Sequence, residues 1–94
     1  MVKTLIYQNV EDFGRWKQTF DGLYSFRKSS GELSCSVTSL YHNPNAVYVV
    51  NEWDSLDAFK VFISSGDLSE AMKYAGIQAQ PHSFILSANE NDNN

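Results

Sequence analysis

His82 is the residue of this 94-residue chain best suited to moving a proton near neutral pH, because imidazole ordinarily titrates there. It follows Pro81 at the start of a predicted strand, where it serves as a base or simply faces solvent. The other histidine, His42, falls in a turn-forming run and is the weaker candidate. Gln8 and Asn51 stand near the ends of apolar runs. An amide so placed can donate to a substrate carbonyl or accept from a hydroxyl, or it merely completes the strand through backbone bonds. Trp53, two residues beyond Asn51, is core, interface or ligand wall. Tyr24 and Arg27 suit an acidic or phenolic ligand at the open end of a pocket, and a solvated helix end accounts for them equally well.

Other chemistries lack their residues. A structural zinc site needs three or four ligands, and two His and one Cys do not supply them at any metal-binding spacing, so no metal is expected. Cys35 reads as a small core residue. The chain contains neither the Gly-x-Gly-x-x-Gly nor the Gly-x4-Gly-Lys-Ser/Thr phosphate loop, and no Gly-x-Ser-x-Gly nucleophile elbow. Ser65 is a turn residue rather than an activated nucleophile. A net charge of -4 argues against tracking a phosphate backbone, because nucleic-acid affinity comes largely from Lys and Arg displacing counterions. No apolar stretch approaches the roughly 20 residues that cross a bilayer, and the N-terminus has no signal-like hydrophobic segment. With a lone cysteine, the expected setting is the cytoplasm.

The elements that must position these residues follow from periodicity. Val2 to Asn9, rich in β-branched and aromatic types, predicts a strand. Phe13, Trp16, Phe20 and Leu23 recur at helical intervals, which predicts one helix over about 11 to 29 with an apolar stripe on a sheet and Gly31 as its left-handed cap. Alternation resumes from Glu32 to Tyr41 as an edge strand, and His42-Asn43-Pro44-Asn45 predicts the turn of a hairpin. Ala46 to Trp53, apolar on both faces through Val50, predicts a central strand.

A second helical region opens at Asp54-Ser55, breaks at Ser65-Gly66, and resumes with Asp67 and Glu70 at capping-box spacing. Phe59, Phe62 and Met72 lie on its apolar stripes, and with Trp16 and Phe20 they read as core. His82 to Ala88 predicts the last strand. The domain then spans 1 to 88, and the polar run 89 to 94 reads as a disordered tail. The order βαββαβ implies an α+β, ferredoxin-like fold, an antiparallel four-stranded sheet with helices on one face. The two-sided apolar character of Ala46 to Val50 implies a cover for the other face, and a second copy of the chain is the economical one.

Several runs carry a family resemblance: Val10-Glu11-Asp12-Phe13-Gly14-Arg15-Trp16-Lys17-Gln18-Thr19-Phe20, Asn43-Pro44-Asn45, Asn51-Glu52-Trp53-Asp54-Ser55-Leu56-Asp57-Ala58-Phe59 and Asp67-Leu68-Ser69-Glu70-Ala71-Met72-Lys73-Tyr74-Ala75-Gly76-Ile77. Together they resemble the dimeric α+β barrel superfamily, closest to small cyclase-like and antibiotic biosynthesis monooxygenase-like proteins. The resemblance implies a homodimer with sheets face to face and a small hydrophobic or aromatic ligand between sheet and helices. It also implies oxygenation without a cofactor, in which Gln8, Asn51 and His82 orient the substrate and move its proton. Trp16, Trp53, Phe20, Phe62, Met72, Tyr24 and Arg27 would line or flank the ligand. The haem-degrading branch takes its axial histidine from the second helical region, and residues 54 to 76 contain none. A non-catalytic ligand-binding or regulatory module fits the same fold. RNA recognition shares the order of elements but needs basic and aromatic motifs that Ala46 to Trp53 lacks.

Overall fold

The computed structural model describes residues 1–74 and 81–86. Strand β1 (Val2–Asn9) runs antiparallel to β3 (Asn43–Trp53) on one side and to β4 (His82–Leu86) on the other. Strand β2 (Glu32–Leu40) pairs with the free edge of β3, giving the order β2-β3-β1-β4. This is the four-stranded antiparallel ferredoxin-like sheet that the order of elements implied.

Because side chains alternate along a strand, register decides what faces what. Thr4, Ile6 and Gln8 of β1 lie beside Asn51, Val49 and Val47 of β3, and all six are buried. The helices cover this face. Trp53 and Val47 are fully buried in it, and with Ile6, Val49, Trp16, Phe59, Phe62 and Leu68 they form the core.

The first helical region is two helices, α1 (Phe13–Gly22) and α2 (Tyr24–Ser30), where periodicity predicted one. Gly22 is a weak helix former. The amide of Leu23 is shared between the carbonyls of Thr19 and Phe20, so the turn tightens without reversing the chain. Asp12 caps α1 by accepting from the Arg15 amide at 3.3 Å. Asn45 pins the same helix start from across the sheet. Its Oδ1 accepts from the Phe13 amide at 2.9 Å, and its Nδ2 donates to the Glu11 carbonyl at 3.2 Å.

Gly31 ends α2 at φ 115°, the left-handed conformation expected of it. A Cβ there would also lie 3.0 Å from the Cβ of Ala58, a tight contact that adds to the backbone's preference for glycine. The hairpin turn is Tyr41-His42 rather than His42 to Asn45, and Pro44 lies inside β3. A register irregularity between Ser39 and Leu40 accommodates the proline, whose missing amide would otherwise interrupt the ladder.

Cys35 is exposed rather than core, because β2 is an edge strand. Helix α3 (Leu56–Ile63) starts at Ser55, whose Oγ accepts from the Ala58 amide at 3.1 Å, and α4 (Gly66–Tyr74) follows the break at Ser65. The side chains of Asp67 and Glu70, the segment 75–80 and the end of the predicted last strand lie outside the described residues, as does the polar run 89–94.

The face away from the helices presents Leu5, Tyr7, Tyr48 and Val50, all half-buried, with Phe84 and Leu86 more exposed. Tyr7 packs on Tyr48 at a centroid separation of 4.8 Å. No helix among the described residues is long and apolar enough to cross a membrane.

Candidate functional site

A cavity of about 60 Å³, partly open to solvent, lies between the sheet and the helices. Ile6 and Val49, opposite one another on β1 and β3, form an apolar floor. Trp16, Phe20 and Leu23 of the first helical region and Phe62, Leu68 and Met72 of the second form the walls. Trp16 stacks on Phe20 at 4.9 Å and leans on Phe13 at 5.8 Å, which fixes the aromatic wall. Two amides, one hydroxyl and one cation interrupt this lining: Gln8, Asn51, Thr19 and Arg27.

These polar groups occupy different ends. Gln8 pairs with Val47 and Asn51 with Thr4, so four residues of β1 separate them, about 13 Å at strand rise. The Asn51 end is tied into a buried network. Asn51 Nδ2 donates to Glu32 Oε2 at 2.6 Å, and Arg27 Nε donates to Glu32 Oε1 at 3.1 Å. The side chains of Arg27 and Glu32 are 5% and 0% exposed. Arg27 Nη1 donates to the Phe20 carbonyl, and its guanidinium lies 3.8 Å from the centre of the Phe20 ring. Asn51 Oδ1 is buried and accepts no hydrogen bond from the described residues.

The backbone explains how Glu32 arrives there. The left-handed turn at Gly31 returns the chain from α2 onto its own last turn, five residues after Arg27. A bulge between Glu32 and Ser34 then shifts the alternation of β2 by one. Simple alternation from Ser34 and Ser36 would put Glu32 on the open face, whereas the bulge puts it on the helix face beside Trp53. An acidic residue opening an edge strand reads as solvated, and nothing in the local sequence announces the bulge. Glu32 is therefore the site residue that sequence reasoning missed.

Of the residues expected at a site, Gln8, Asn51, Arg27, Trp16, Phe20, Phe62 and Met72 line this one cavity. Three lie elsewhere. Trp53 is fully buried beneath α3, with its Nε1 donating to Thr4 Oγ1 at 3.1 Å and its ring against Phe59 and Phe62. That bond and packing hold it in the core, off the cavity lining. Tyr24 is 58% exposed on the outside of α2, near Lys28. His82 pairs with Tyr7 across β1 and β4 and stacks on that ring at 6.3 Å, on the helix-free face. Within one chain it cannot join Gln8 and Asn51 in a common pocket, because strand alternation puts the sheet between them. Among the described residues, no cluster of three or more His, Cys, Asp or Glu could hold a metal.

Compared by sequence, the chain matches no family model and no curated protein. Compared by structure, it matches solved proteins over nearly its whole length. SnoaB, a cofactor-independent oxygenase from Streptomyces nogalater, superposes with a TM-score of 0.80 at 12% identity, covering 99% of this chain and 97% of that one. An antibiotic biosynthesis monooxygenase gives 0.74 at 11% identity, with 94% and 98% covered. A dimeric ferredoxin-like protein from an uncultured marine organism gives 0.65 at 12% identity, with 98% of each chain covered. The fold is therefore that of the antibiotic biosynthesis monooxygenase-like, ferredoxin-type proteins, as the sequence resemblance implied. At these identities the likeness establishes the fold alone.

Proposed function

We propose that the chain is a homodimeric, cofactor-independent oxygenase that orients a small, hydroxylated aromatic molecule in the cavity between sheet and helices. The observation that carries this reading is the unpartnered Asn51 Oδ1 on a residue that lines an otherwise largely apolar, aromatic-walled cavity. A buried acceptor left empty costs about 1 to 3 kcal/mol, and a ligand hydroxyl removes that cost. Likeness in fold to a cofactor-independent oxygenase supports the same reading.

The chemistry follows from the lining. No described lining residue is a carboxylate, imidazole, amine, phenol or thiol, so none of them takes a proton, and the two hydrogens lost from the substrate end in the water formed from O2. A phenol enters with its hydroxyl protonated and gives up that proton only as the ring is oxidised. Asn51 holds the hydroxyl, the rings of Trp16, Phe20 and Phe62 hold the aromatic plane, and the electron-rich ring reduces O2 directly. For 1-naphthol, C10H8O + O2 gives C10H6O2 + H2O. The ring C4–H becomes C4=O, one oxygen atom enters the quinone and the other leaves as water, and four electrons pass from the ring to O2.

The same lack of a titrating group in the described lining favours a second reading, a binding module that holds its ligand without turning it over. The dimer is proposed on the helix-free face, where Leu5, Tyr7, Tyr48, Val50, Phe84 and Leu86 form an apolar surface that a second copy covers. The dimeric state of a solved protein of this fold supports it.

One experiment tests both placements: amide spectra of the 15N-labelled full chain with added 1-naphthol. Shifts in the side-chain amides of Gln8 and Asn51 and the indole N–H of Trp16 are expected, with tumbling appropriate to two chains. Shifts confined to Tyr7, Tyr48 and Val50 would overturn the cavity assignment. Tumbling of a 10.6 kDa particle at micromolar concentration would overturn the dimer.

A further inference from the structure

We infer that Glu32, itself held by Arg27, sets the ligand selectivity of the cavity by fixing the Asn51 amide with its acceptor free, so that the site takes molecules presenting a hydrogen-bond donor. The inference rests on the reading of the cavity as a ligand site and goes beyond it in naming what the ligand must offer and which residues impose it.

An asparagine amide has a donor end and an acceptor end of nearly equal size, so shape alone does not decide which end a ligand meets. Here chemistry decides. The ionised carboxylate of Glu32 only accepts, so the end of Asn51 that lies 2.6 Å from Glu32 Oε2 must be the amide nitrogen. Glu32 cannot turn away, because its other oxygen takes the Arg27 Nε bond at 3.1 Å and its side chain is completely buried. Arg27 is anchored in turn by the Phe20 carbonyl and ring. The chain of constraint ends on Asn51 Oδ1, buried without a partner among the described residues.

The oxygen is buried on a residue that lines the cavity, and a small turn about the broad terminal torsion of the amide brings it toward the lining. Gln8 stands about 13 Å along β1, so a ligand of one or two rings meets the Asn51 end without compensation from the second amide. Glu32 and Arg27 are positioning residues in this account, and Asn51 is the contact.

The test compares indole with benzofuran, which have nearly the same size and shape and differ in a ring N–H donor against a ring oxygen. Titrations are followed by amide shifts in the 15N-labelled full chain. Indole is expected to bind about tenfold more tightly or better, the factor that follows from pairing rather than capping a buried acceptor. Asn51→Ala should bring the two affinities together. Glu32→Gln supplies a donor at position 32, lets the Asn51 amide turn over, and should narrow or reverse the preference, an effect that a purely structural role for Glu32 would not produce.

Equal affinities in the wild-type chain overturn the inference, as does an indole preference that survives Asn51→Ala in a folded variant. Should neither variant fold, the wild-type ratio decides alone, together with whether the Asn51 side-chain amide shifts with indole and not with benzofuran. If neither probe perturbs the cavity residues, the ligand-site reading fails with it. If both bind there equally, that reading stands and only the donor selectivity is lost.

Discussion

Glu32→Ala is expected to lower the stability of the folded chain by about 3 to 5 kcal/mol, a large part of the 5 to 15 kcal/mol typical of a small domain. The loss does not measure a strong attraction. An ion pair removed from water gains little net stability, since desolvation of both ions offsets their attraction. Removing one member leaves the other charge without its partner, and here that charge is the Arg27 guanidinium, 5% exposed beneath the helices. The Asn51 amide loses its acceptor in the same step. Replacing both ions together, as Arg27→Met with Glu32→Leu, should recover the part of the loss that comes from the lone charge, while the Asn51 amide still lacks its acceptor. Urea unfolding of the three proteins checks this. A change below about 1 kcal/mol for Glu32→Ala, outside the range for a broken buried pair, would mean that Arg27 finds another partner or reaches water.

Trp16→Ala is expected to cost a similar amount, about 3 to 5 kcal/mol, by a different route. The indole is 3% exposed, stacked on Phe20 and tilted against Phe13, and forms one wall of the cavity. Its loss removes apolar contacts and joins a new void to a space that already exists, so the neighbouring side chains have little to collapse onto. The variant should melt well below the wild type and bind small aromatic ligands more weakly, since the wall that holds the ring is gone. Thermal unfolding unchanged from wild type would show that Trp16 does not contribute to the core.

The contrast between these two residues shows what the sequence makes legible. Trp16 announces itself through helical spacing with Phe13, Phe20 and Leu23, and the strands through alternation and β-branched runs. Asn51 is legible too, because it shares parity with Val47, Val49 and Trp53 on a central strand, and a polar residue on a buried face must find a partner. Glu32 is not legible, because its face depends on a bulge that alternation does not encode. His82 misleads for a related reason. Its chemistry suits proton transfer, but its face is set by register against Tyr7, which only the assembled sheet determines. The division of the first helix at Leu23 and the early turn at Tyr41-His42 are smaller departures, each caused by local bonding that periodicity averages over.

The most direct test of the oxygenase reading is oxygen uptake by the purified full chain with 1-naphthol, measured with an oxygen electrode in the presence of a metal chelator and without added cofactor. The account predicts uptake proportional to protein, one O2 consumed for each 1,4-naphthoquinone formed, and loss of most turnover in Asn51→Ala. Saturable binding of 1-naphthol in the cavity with oxygen uptake no faster than in buffer alone would contradict it and would make the binding-module reading the correct one.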